Sequence, residues 1–160
     1  MNTTENSKVW IYQSDRVLNA DEDKQIQKTL DIFTSTWLAH GHQLDAKAEI
    51  RYNQFIILSV VENATTASGC SISKSVELLQ EIEKQFHIQL FDRYSIAYRD
   101  AENIRTCNRE EFEKLIETGQ VNGETIVFNN MVSNNNELNT SWEVPMKNSW
   151  HARVFQLDRV

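Results

Sequence analysis

Residues 55–86 begin with Phe55-Ile56-Ile57-Leu58-Ser59-Val60-Val61, pass through Thr66-Ala67-Ser68-Gly69-Cys70-Ser71-Ile72-Ser73, and continue into a segment carrying Val76, Leu79, Ile82 and Phe86. The first run is apolar at every position but Ser59 and bounded by polar residues, which is the pattern of a strand buried on both faces. The last four residues recur at helical spacing and predict an amphipathic helix with Ser73 as its N-cap. Between them lies a loop of small residues, longer than an ordinary connection. A buried strand that delivers such a loop to a helix N-terminus gathers unpaired N–H groups at one point.

Working outward, Val9-Trp10-Ile11-Tyr12-Gln13 reads as a first strand, with Ser14-Asp15-Arg16 as its polar exit. A helix follows, capped by Asn19 or Asp21, with Ile26, Leu30, Phe33 and Trp37 on one face and Gly41 as its left-handed stop. Ala46 to Tyr52 forms a strand joined to the apolar run by a turn at Asn53-Gln54. Beyond the second helix, Ile88 to Phe91 and Ser95 to Tyr98 read as strand. The order strand, helix, strand, strand, helix, strand is that of a ferredoxin-like βαββαβ core, an α+β fold with one antiparallel sheet and both helices on one face. A C-terminal helix and strand extension completes it. Asn108 and Glu111 form a capping box, Phe112, Leu115 and Ile116 an apolar face and Gly119 a stop, while Thr125 to Phe128 reads as strand.

The chain has 160 residues and is expected to be one α+β domain over 1–160, with residues 1–7 flexible. A net charge of -7 disfavours nucleic acid and anionic membranes as partners. A mean hydropathy of -0.53, with no long apolar run, gives no membrane span. Met1 to Asn6 has neither a basic nor an apolar signal region, so a cytoplasmic location is expected. Cys70 and Cys107 fit no zinc-ribbon or CxxC spacing and are expected to be free thiols.

The candidate site is therefore Ser68, Gly69, Cys70 and Ser71, with Arg16 or Arg93 as the cation completing a pocket for a small anion. Both arginines sit in Asp-Arg pairs at expected strand ends, where surface ion pairs or turns are the plainer reading. A thiol at a helix N-terminus is also a candidate nucleophile, because the positive end of the dipole favours a thiolate. Cys70 would then take His151 or His40 as base, with Asp92 or Asn129 as orienter; the plainer reading is a packed thiol. His40-Gly41-His42 resembles half of a metal site but is more simply read at a helix end, so neither metal nor cofactor is expected. Trp142, Val144, Pro145, Trp150, Val154 and Phe155 concentrate apolar area near the C-terminus, either to cover a sheet or to present a binding or homodimer face.

Several stretches together carry a resemblance: Lys8 to Arg16, Trp37-Leu38-Ala39-His40-Gly41, Ala67 to Ile72, Leu90-Phe91-Asp92-Arg93, Thr125 to Asn130 and Ser149-Trp150-His151. Over nearly its whole length the chain resembles an uncharacterised family of small bacterial proteins commonly labelled "ABC transporter ATPase". That label implies a Gly-x-x-x-x-Gly-Lys-Ser/Thr phosphate cradle. None of Gly41, Gly69, Gly119 and Gly123 is followed by lysine, so the sequence does not support it. The resemblance transfers no catalytic residue. Three expectations follow: a small anionic ligand at Gly69-Cys70-Ser71, a cysteine-dependent enzyme, or an interaction module built on the aromatic C-terminal segment.

Overall fold

The computed structural model describes residues 6–62 and 65–155. The expected flexibility of residues 1–7 falls outside that range for residues 1–5, whereas Ser7 opens the first strand. The protein mixes helices with antiparallel sheets. Its described residues gather into two compact units, one running up to Phe91 and including Ser133–Asn135, the other holding Asp92–Val132 and the residues from Asn136 onward.

In the first unit, β1 (Ser7–Gln13), β4 (Asp45–Arg51) and β5 (Phe55–Val61) form a three-stranded antiparallel sheet in the order β1-β5-β4. The apolar run is thus the central strand, as its two-sided hydrophobicity requires, and every residue from Phe55 to Val60 is buried. Helix α1 (Ala20–Ser35) and helix α2 (Gly69–Phe86) pack on the sheet face that carries Ile56 and Leu58, sharing a core with Leu18, Ile26, Leu30, Leu79 and Ile82.

Three local expectations are corrected. Helix α1 stops at Ser35 rather than running to Gly41, because Ser35 Oγ and Thr36 Oγ1 both bond the Ile32 carbonyl (2.8 and 3.2 Å) and compete with the helical ladder. His40-Gly41 instead makes the tight turn between β2 (Leu38–Ala39) and β3 (His42–Gln43), with φ of 53° and 77°. Positive φ at both central residues is the hairpin turn whose twist matches its strands, and glycine suits it. The turn between β4 and β5 lies at Tyr52-Asn53, not Asn53-Gln54, and closes with Gln54 N–H on the Arg51 carbonyl at 3.1 Å.

The ferredoxin-like order is also corrected, since the sheet of this unit lacks a fourth strand from residues 88–91. Ile88 and Leu90 are buried against the helical core, and the Gln89 carbonyl accepts the Asp15 N–H at 3.1 Å just past the end of β1, but the amides of Gln89 and Leu90 are taken by side chains. Gln89 N–H donates to Asp15 Oδ1 at 2.9 Å and Leu90 N–H to Glu83 Oε2 at 2.7 Å. Amides committed to carboxylates cannot build a ladder beside β1. The outer edge of β1 is met instead by Val9 N–H on Ser133 O at 2.9 Å and by Asn135 N–H on Ser7 Oγ at 2.9 Å.

The second unit holds a separate antiparallel sheet in the order β7-β6-β8-β9, made of β6 (Ile96–Asp100), β7 (Asn103–Cys107), β8 (Ile126–Phe128) and β9 (Glu143–Pro145). Helix α3 (Arg109–Glu117) has the expected Asn108–Glu111 capping box and buries Phe112 with Ile96, Tyr98, Val121, Val127 and Met146. Helices α4 (Asn135–Ser141) and α5 (Trp150–Val154) lie in the C-terminal part of the chain. Helix α5 forms because Ser149 caps it, its side chain accepting from His151 N–H.

Candidate functional site

Helix α2 begins at Gly69, with Ser68 rather than Ser73 as its N-cap. Ser68 Oγ accepts the Ser71 N–H at 3.1 Å, while Ser71 Oγ accepts the Ser68 N–H at 2.7 Å and donates to the Ser68 carbonyl at 2.8 Å. This reciprocal cap shortens the expected loop and makes Gly69-Cys70-Ser71 the first turn of the helix. Ser68→Ala should therefore cost about 1 kcal/mol in urea denaturation, whereas Ser73→Ala, at an exposed position within the helix, should stay within about 0.5 kcal/mol of the wild type.

The first turn is fixed from below by Trp37. Its indole N–H donates to the Ser71 carbonyl at 2.8 Å, and its ring packs on Phe33 and Trp10 at centroid distances of 5.0 and 6.1 Å. Sequence reasoning placed Trp37 on the face of α1 and missed this contact. The available signal was the need of a buried indole N–H for an acceptor. Upstream, the buried Glu62 carboxylate accepts the Ala67 N–H at 2.6 Å and lies 3.9 Å from Lys8 Nζ.

These bonds determine which donors are left. The Ser71 amide is taken by the cap and the Ile72 amide by the Ser68 carbonyl at 2.9 Å. The Gly69 and Cys70 amides have no acceptor among the described residues, and both residues are exposed. A Cβ built on Gly69 would meet nothing within 4 Å. Of the expected ligand set, Gly69 and Cys70 are presented to solvent, while the Ser68 and Ser71 hydroxyls are spent on each other.

Arg16 lies elsewhere. Its guanidinium grips Glu22 through two bonds of 2.8 and 2.7 Å and donates to the Phe86 carbonyl at 2.8 Å. Phe86 ends an 18-residue helix, so at 1.5 Å per residue Arg16 sits about 25 Å from Cys70. The bond to Arg16, then that from the Asn19 amide, hold the Glu22 carboxyl down at about 2. Arg93 and His151 belong to the second unit, Cys70 to the first. Arg93 is exposed and follows Asp92, whose Oδ1 accepts the Tyr94 N–H at 2.9 Å. His151 is only 1% exposed; its Nδ1 lies 2.6 Å from Ser149 Oγ, its ring stacks on Trp150 at 3.7 Å, and burial pushes it down to about 4.

The two thiols are both free. Cys107 is half-buried in a cleft of about 460 Å³ lined by Tyr98, Arg105, Glu111, Lys114 and Leu115, and its thiol is pushed up to about 11 by burial and then by Glu111. His40 and His42 flank the glycine of an exposed turn, and no group of three His, Cys, Asp or Glu side chains arranged for a metal occurs among the described residues. The aromatic C-terminal segment is largely consumed by its own unit: Trp142 and Met146 are buried, and Trp142 Nε1–H donates to Asn130 Oδ1 at 2.9 Å.

Comparison with protein-family models, curated proteins and solved structures finds no match for this chain. Among the described residues, no helix is long and apolar enough to cross a membrane.

Proposed function

We propose that the protein binds a small anionic ligand at the first turn of α2, the ligand accepting from the Gly69 and Cys70 amides. The observation that carries this reading is the pair of amides, on the exposed residues Gly69 and Cys70, that have no acceptor among the described residues at the head of an 18-residue helix whose next donors are satisfied. The dipole of such a helix favours negative charge at that end. A net charge of -7 disfavours a polyanion and leaves this local donor pair to a phosphate-, sulfate- or carboxylate-bearing small molecule. We place the protein in the cytoplasm, in keeping with its two free thiols. The family resemblance fits this reading only as kinship, since the chain has no lysine-bearing phosphate cradle.

The test is a titration with inorganic phosphate and sulfate followed by amide NMR. The Gly69 and Cys70 resonances should move in a saturable way, and the same anions should slow labelling of Cys70 by a thiol probe. Unmoved amides at saturating anion would sink the proposal. Exposure of Cys70 also supports the second reading, that of a nucleophilic cysteine. In that case phosphate and sulfate should leave the labelling rate of Cys70 unchanged.

A further inference from the structure

Strand β4 is an edge of its sheet, because β5 is its partner on one side and the other side has no strand among the described residues. The Ala48 carbonyl accepts Gln27 Nε2–H at 3.0 Å from helix α1, so Ala48 directs its main-chain groups away from β5. Alternation along the strand gives Ala46 and Ile50 the same outward direction. On the face away from the helices the strand carries Asp45, Lys47, Glu49 and Arg51, of which the first three are exposed.

This row of charges reads acid, base, acid, base, and it is complementary to its own reverse. We propose that β4 pairs antiparallel with β4 of a second copy of the chain about a two-fold axis at Ala48, joining the two sheets edge to edge. In that register Asp45 faces Arg51 of the copy, Lys47 faces Glu49, and Ala46 faces Ile50. Ala46, Ala48 and Ile50, the residues whose N–H and C=O groups point outward, are the ones that exchange main-chain bonds. The hydrogen-bonding phase and the charge pattern therefore select the same axis. Sliding the pairing by two residues in one direction sets Lys47 against Lys47 and Asp45 against Glu49; sliding it in the other sets Glu49 against Glu49 and Lys47 against Arg51. Opposite charges across strands stabilise and like charges oppose, so one register is chosen over its neighbours. A strand edge protected only against association would carry charges that repel its own copy.

The Gln27 amide does not block this pairing. A carbonyl oxygen has two lone pairs, so Ala48 can keep Gln27 while accepting the Ala48 N–H of the copy. Both sheets retain their helices on the same side, and α1 runs antiparallel to its counterpart.

Sedimentation equilibrium over a concentration series tests the pairing, with circular dichroism confirming that each variant is folded. The wild type should associate reversibly to twice the chain mass. Lys47→Glu places acids opposite Glu49 and Glu49→Lys places bases opposite Lys47, and each substitution alone should weaken association about 10- to 100-fold. An equimolar mixture of the two variants should associate again, as should the charge-swapped Lys47→Glu/Glu49→Lys chain. A wild type that stays monomeric at every concentration, single variants that dimerise as well as wild type, or a mixture without recovery would each overturn the proposal.

Discussion

Lowering the pH from 7 to 4 should destabilise the folded chain by on the order of 3 kcal/mol through His151 alone. The ring is buried beside Phe112 and Trp150, and burial holds its folded value at about 4 against an ordinary 6.5. Between those values the unfolded chain binds the proton and the folded chain does not, so stability is complete above about 6.5, falls as pH drops, and levels off below about 4. Loss through Glu22 lies lower, falling between its ordinary 4.5 and about 2, where the Arg16 bond holds the folded carboxyl. Urea denaturation from pH 7 to 4 measures the effect, and His151→Gln should flatten the curve in this window even if the variant is less stable at pH 7. An equal slope in both proteins would show that the imidazole is not the group responsible.

Trp37→Ala should cost about 3–5 kcal/mol, at the upper end for a single substitution. The ring is 2% exposed and packs with Leu44 and Val60 as well as Phe33 and Trp10, so truncation leaves a cavity among residues that several elements hold in place. It also leaves the Ser71 carbonyl without the indole donor, which adds to the loss. Trp37→Phe separates the two contributions, since it keeps most of the volume and removes only the N–H. Urea midpoints that barely move in Trp37→Ala would mean the hairpin collapses onto the space. Because the indole fixes the first turn of α2, the same variant should also weaken the phosphate response at Gly69 and Cys70.

What could be read from the residues was whatever a local period or a cap dictates. The run Phe55 to Val60, apolar but for Ser59, required a central strand, and Asn108 with Glu111 marked the start of α3 by a signature that spans four residues only. The head of α2 was misread because Ser68 and Ser73 are equally good caps by type. What decides between them is the reciprocal bond from Ser71, a partner outside the usual Glu or Gln signature. Ile88 and Leu90 have the composition of a strand, yet two carboxylates, Asp15 and Glu83, take the amides such a strand would need. Asp15 lies far away in sequence, so no window around residue 89 contains the answer. For the candidate site, Gly69 and Cys70 were proposed from chemistry near in sequence, while the engagement of Arg16 by Glu22 and Phe86 came only from the folded chain.

The position of β5 between β1 and β4 also orders the assembly of the first unit. Its ladder with β4 closes across the short Tyr52-Asn53 turn, so little chain entropy is lost before those bonds form. Its ladder with β1 joins Gln13 to Phe55 and Ser7 to Val61, which encloses all of α1 and the β2–β3 hairpin. Non-local pairing of that kind is slow to form, because the intervening chain must be ordered before the contacts reward it. The β4–β5 hairpin is thus the early scaffold of the unit. Until β1 docks, the edge of β5 that it will cover is open to other strands, while β4 carries the charged row Asp45, Lys47, Glu49 and Arg51 along its own edge.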